Sequence, residues 1–270
     1  MSAYSKRQKT IVSLSLTLVT LISFASIVAI TTTGFYNKET VNWQIQALAQ
    51  DYFDLLVVVP LLLIAVVFIL RENKIGKWLW GGITLYLIYT FVIYCFDTHF
   101  NSLFIVYCSI LGISFYSLVI FSFQEFSGTQ LRDKKPLPSM KVLGIYFIAT
   151  SLLFAFLWLS EDVPAVMHNR LPASVVEAGL PTNPVHVLDL AILLPGIFFT
   201  GILVLRRKRT GWVLTPLLLV FFVLMSLSIA GIICAMIFKG LESSSTVAFV
   251  MFFLAVFSTI LLIWHAKKLQ

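Results

Sequence analysis

Seven side chains of this chain have the types and spacing for chemistry: Asp51, Asp54, Asp97, His99, Asn101, His186 and Asp189. Asp51 precedes Asp54 by three residues and His186 precedes Asp189 by three. On a helix, that spacing puts both members of a pair on one face. One pair reads DxxD and the other HxxD. Such groups hold a polar ligand or ligate a divalent cation. His99, His186 and Asp189 are the metal candidates, because mixed imidazole and carboxylate ligation suits Zn or Mn, whereas carboxylates alone suit Ca or Mg. No HExxH or HxxxH pair occurs.

The elements that carry these groups occur twice. Asp54–Pro60–Arg71–Gly76 returns as Asp189–Pro195–Arg206–Gly211, every member displaced by 135 residues in a chain of 270. Lys6 and Lys141 obey the same shift. A constant displacement across helices and loops predicts an internal duplication, with repeats at 1–135 and 136–270. Under it, Asp51 and His186 occupy the same position.

Hydrophobic residues make up 59 % of the chain and charged residues 11 %, about half the charge fraction of soluble domains. Apolar runs of about 20 residues, the length that crosses a hydrocarbon core of ~30 Å, fill most of it. The expected fold is all-α: a polytopic membrane bundle of eight transmembrane helices arranged as two parallel four-helix repeats. The expected spans are 11–31, 54–70, 77–96, 102–124, 141–160, 187–205, 212–238 and 246–264. Four spans per repeat is an even number, so both repeats enter the membrane in the same direction.

Lys and Arg set the orientation. With the N-terminus inside, 16 basic residues fall on the cytoplasmic side and only Lys38, Arg170 and Lys239 outside. Arg132, Lys134 and Lys135 belong to the inner set. The net charge of +7 is thereby a topology signal and a contact with anionic lipid heads, and nucleic-acid binding is not implied. Both termini are expected in the cytoplasm of a bacterial cell, with the first span retained rather than cleaved. Cys95, Cys108 and Cys234 form no CxxC pair and are expected to be buried packing residues.

Asp54 and Asp189 stand 17 residues before Arg71 and Arg206, roughly 25 Å of helix. That places the carboxylates at or just under the outer interface. Pro60 and Pro195 lack an N–H and are expected to kink their helices about one turn deeper. A structural account competes: Asp in a first helical turn caps the helix and complements its dipole, and Gly after Arg can end it. Against that account, a duplicated cap has no reason to diverge into the titratable His186.

Asp97, His99 and Asn101 sit in the link between spans three and four and are expected to form a rim. Residues 41–50 read as an interfacial helix with Trp43 and Leu48 dipping into lipid, with a counterpart at 164–179. Ser226, Ala230, Gly231 and Ala235, with Ser109 and Gly112, are small residues expected to bring helices close. Tyr86 and Tyr89 lie deep in a span and need hydrogen-bond partners there.

Two segments, Phe100 to Ser114 and Asn183 to Gly196, resemble parts of a group of uncharacterised bacterial multi-pass membrane proteins. The resemblance implies a membrane bundle and no activity, with Asn101, His186 and Asp189 in its informative stretches.

Three functions follow as expectations. The chain binds, and translocates, a small polar or amphipathic ligand or a lipid through an outer cleft between the repeats. Alternatively it is a metal-dependent enzyme at the outer surface, with a divalent cation as cofactor. The third is a non-catalytic assembly or sensory subunit that docks a protein partner.

Overall fold

The computed structural model describes residues 6–126, 138–241 and 243–268. The basic residues Arg132, Lys134 and Lys135 lie outside the described residues. Eleven α-helices follow one another: α1 (Lys6–Thr31), α2 (Val41–Phe53), α3 (Val59–Leu70), α4 (Lys74–Asp97), α5 (Phe104–Phe126), α6 (Pro138–Met167), α7 (Ala173–Ala178), α8 (Pro184–Leu188), α9 (Leu194–Leu205), α10 (Arg209–Phe238) and α11 (Ser245–Lys268). Because α2 runs into α3 and α8 into α9, they form eight helices long and apolar enough to cross a membrane. The protein is an all-helical integral membrane bundle.

The continuous helix Val41–Leu70 corrects two expectations. Residues 41–50 are not a separate interfacial helix but the first three turns of a span, begun by the Thr40 hydroxyl, which accepts from Trp43 N–H at 3.3 Å. Asp54 therefore caps nothing: it sits at φ −62°, ψ −44°, thirteen residues into the helix. In the matching span the cap is Asn183, whose side chain accepts from His186 N–H, with Pro184 in the first turn.

Both spans change pitch at the carboxylate. Asp54–Val58 and Asp189–Leu193 are single π-helical turns, in which Val59 N–H bonds the Asp54 carbonyl and Leu194 N–H bonds that of Asp189. Pro60 and Pro195 follow at once, in the first turns of α3 and α9. A proline cannot donate to the α-helical ladder, and the widened turn is one way a helix absorbs the missing bond. The structure thus places a π turn at each of the two expected kinks.

Helix ends recur with the same shift. Glu72 and Arg207 take left-handed backbones (φ 58° and 56°), and Asn73 and Lys208 N–H reach back to the Phe68 and Leu203 carbonyls. Gly76 and Gly211, read from the sequence as able to end helices, instead open the next ones. A Cβ there would stand 2.6 Å from Ile69 N and 2.7 Å from Val204 N, so only glycine lets the chain double back this tightly.

α4 and α10 are the most buried spans and pack on each other at the centre of the bundle. The close approach is made by Gly81 and Gly82, whose missing Cβ atoms would meet Leu217 and Val220. A second lies between Gly144 of α6 and Gly201 of α9. The small residues expected to do this are otherwise used: Ser226 and Ala230 are buried, but nothing approaches Gly231 or Gly112. Cys108 and Cys234 are exposed and are not core packing groups, whereas Cys95 is half-buried and packs against the core.

Loops 32–40, 98–103 and 168–183 meet at one end, hereafter the acidic end. Lys38 Nζ donates to the Phe100 carbonyl, and Thr40 Oγ1 to that of Ala178. In place of the second interfacial segment, α6 continues to Met167 through Pro164, and the short α7 follows.

Candidate functional site

Asp54 is 1 % exposed although it carries a carboxylate in an apolar span. Its Oδ1 accepts from Gln50 Nε2 at 2.9 Å and from Tyr86 Oη at 3.4 Å. Oδ2 is buried with no partner among the described residues. Gln50 lies one helical turn before Asp54 and also donates to Tyr86 Oη, at 2.6 Å, while its Oε1 accepts from Ser228 Oγ at 2.6 Å. The carboxylate is thus tied through one amide to α4 and α10.

Asp189 is held in a related way by other partners. Tyr89 Oη donates to Oδ1 at 3.1 Å and Trp158 Nε1 to Oδ2 at 2.8 Å. Tyr86 and Tyr89 are three residues apart on α4, so the two carboxylates contact successive positions of one helix face. Tyr86 is the thirteenth of the 24 residues of α4. Asp54 therefore meets α4 near that helix's midpoint. A carboxyl group buried inside an apolar helix bundle is costly.

Asp51 lies one turn nearer the acidic end, 3 % exposed. It accepts from Tyr36 Oη at 2.6 Å and from Tyr94 Oη at 3.1 Å. Burial, and then the Asp51 carboxylate, push the Tyr36 phenol well above its ordinary range, so it stays a donor.

A cleft of about 210 Å³ opens beside these groups. Trp43 and Gln50 of α2 with Tyr89 and Tyr94 of α4 form one side; Val185 of α8 with Met225, Ser228 and Met236 of α10 form the other. The carboxylates do not line it. Asp54 holds Gln50, Asp189 holds Tyr89 and Asp51 holds Tyr94, and those three neutral side chains line it. Trp43 Nε1 is buried with no partner among the described residues. Neutral side chains thus line an apolar cleft, and Gln50, Tyr89 and Tyr94 among them are held from behind by buried carboxyl groups.

The remaining expected residues stand apart from the cleft. His186 Nδ1 meets Asp162 Oδ1 at 2.9 Å, and its ring stacks on Trp158 with centroids 4.4 Å apart. His99 is clamped by Glu39, whose Oε1 accepts the His99 N–H at 2.7 Å and whose Oε2 meets Nδ1 at 2.9 Å. Asn101 accepts from Leu103 N–H and so starts α5. Asp97 is buried at the end of α4, with Oδ2 unpartnered among the described residues. His186 and Asp189 share Trp158, which stacks on the one and donates to the other, while His99 is held elsewhere by Glu39. Among the described residues no three His, Cys, Asp or Glu side chains form a group able to hold a metal.

Gln50, Tyr94, Trp158, Ser228, Glu39 and Asp162 complete these contacts. The Gln50–Asp54 spacing of four residues in an apolar helix was a readable signal. The others come from distant positions, and no local spacing announces them.

Fold and site define an eight-helix membrane bundle with a buried carboxylate layer behind an interhelical cleft. No protein-family model, curated protein or solved structure matches the chain.

Proposed function

We propose that the chain binds a small amphipathic molecule in the cleft between α2–α4 and α8–α10 and passes it across a bacterial cytoplasmic membrane. In this reading, residues 1–135 and 136–270 are parallel four-helix repeats, the cleft lies between them, and both termini are cytoplasmic. The recurring fingerprint supports the duplication, as do the two π turns and the paired left-handed positions Glu72 and Arg207. The excess of Lys and Arg at the end opposite the cleft mouth supports the orientation.

The observation that carries the reading is the cleft lining. Gln50, Tyr89 and Tyr94 each line the cavity and bond a buried carboxyl group outside it. The ligand contacts are these three with Ser228 and Trp43, and Asp51, Asp54 and Asp189 act through them. A volume of about 210 Å³ is below the ~300–1,000 Å³ of drug-sized sites, so the ligand is small. An apolar body with an uncharged hydrogen-bonding group fits, and the free Trp43 N–H suits an acceptor. Paired proline-adjacent irregularities at matching positions are a feature of transporters and support translocation.

The test is a thermal-shift screen of small uncharged phenols, alcohols and amides on the chain in nanodiscs. The Gln50→Leu/Ser228→Ala variant is screened in parallel. Compounds that stabilise the native chain and not the variant are the expected result. Equal stabilisation of both, or of neither, refutes cleft binding. Uptake of a hit into proteoliposomes, reduced by Asp54→Asn or Asp189→Asn, tests translocation.

A further inference from the structure

A second, larger cavity lies at the acidic end, outside the cleft and on one half only. It measures about 670 Å³ and is lined by Asp162 and Val166 of α6, Arg170 and Leu171 of the following loop, and His186 and Val187 of α8. Asn169 takes a left-handed backbone (φ 48°), and Arg170 N–H returns to the Ala165 carbonyl, so the sharp end of α6 sets Arg170 at the cavity. Among the described residues the Arg170 guanidinium has no carboxylate partner. A few residues away, Asp162 uses Oδ1 on His186, and Glu161 Oε2 lies 4.0 Å from His186 Nε2. Arg170 and the Asp162 carboxylate thus line one pocket, while the neighbouring Glu161 lies outside its lining and accepts from Ser174 N–H.

Depth and surroundings restrict the ligand. Asp162 is 24 residues into α6, about 36 Å along it, beyond a hydrocarbon core of ~30 Å and so at headgroup level. Val166, Leu171 and Val187 on the same wall are 78 %, 62 % and 53 % exposed, an apolar flank for acyl chains. We propose that this pocket binds a phospholipid whose headgroup carries a phosphate and a primary ammonium, the phosphoethanolamine class. Arg170 takes the phosphate, since its planar fork matches two phosphate oxygens. Asp162, the carboxylate in the lining, takes the ammonium, which has three hydrogens to donate, whereas a trimethylammonium has none. An aromatic cage for choline is missing here, because the Trp158 face is stacked on His186. Under the 135-residue shift, Asp162 and Arg170 correspond to Ile27 and Phe35, so the site belongs to the second half alone.

The test equilibrates the purified full chain with equimolar dioleoyl-phosphatidylethanolamine, -phosphatidylcholine and -phosphatidylglycerol vesicles and reads retained lipid by native mass spectrometry. Ethanolamine lipid is expected to be retained in preference to both others. Arg170→Gln, at an exposed position, should lower that retention about tenfold, as expected for loss of a bidentate phosphate contact. Asp162→Asn should erase the preference over phosphatidylcholine, with a thermal melt read alongside to confirm folding. Equal retention of the three lipids, or unchanged retention in Arg170→Gln, overturns the proposal. Displacement of the lipid by soluble glycerophosphoethanolamine at equal concentration overturns the lipid as source.

Discussion

Tyr89 donates its phenolic hydrogen to Asp189 at 3.1 Å, joining positions one hundred residues apart. The bond ties α4 to the π turn that follows α8, and Tyr89 lines the cleft on the same side chain. A ligand that moved Tyr89 would alter the solvation of Asp189, and a change at Asp189 would move the cleft wall.

Tyr89→Phe keeps the ring and removes that donor, leaving Asp189 with Trp158 alone. Hydrogen bonds between membrane helices are worth roughly 0.6–1.7 kcal/mol, and those to charged groups about 1.5–3 kcal/mol. A loss of about 1–2 kcal/mol is expected on these scales, read as a lower thermal midpoint in nanodiscs. An unchanged midpoint would show that the bond contributes nothing.

Gln50 and Asp54 should behave as a unit. Gln50→Leu leaves the Asp54 carboxylate with only the long Tyr86 contact and should cost about 2–3 kcal/mol. Adding Asp54→Leu removes the stranded carboxyl group, and stability should return towards native while ligand-dependent stabilisation stays lost. Additive losses in the double variant would contradict the pairing.

Glycine substitutions separate close helix contacts from sequence motifs. Gly82→Leu drives a side chain into Val220 and the Leu217 carbonyl, 2.7 Å from the added Cβ, and should cost at least about 1–3 kcal/mol. Gly231→Leu meets open space and should change the midpoint little. The reverse ranking in thermal melts would mean that α4 and α10 do not meet at Gly82.

Orientation is testable by labelling. In a background without native cysteines, His99→Cys should react with a membrane-impermeant maleimide on intact cells, and Lys74→Cys only after lysis. The opposite pattern would invert the topology.

The sequence by itself determined the membrane class and the number of spans, because hydrocarbon thickness converts an apolar run directly into a spanning helix. Pro60 and Pro195 were legible as places where the helix departs from regularity, since proline's missing N–H is a local property, and the π turns stand directly before them. The continuity of residues 41–50 with the span was not legible, because their amphipathic composition reads as interfacial.

Tertiary structure alone decided what each carboxylate faces. Spacing of i and i+3 put Asp51 beside Asp54, but only helix packing brings Tyr94 to one, Gln50 and Ser228 to the other, and Trp158 to Asp189. Close approach likewise fell to Gly81 and Gly82 and not to the small-residue run on α10, because rotation about the helix axis points Gly231 away from every neighbour. Such choices depend on contacts up to 178 residues apart, for which a linear sequence carries no local rule.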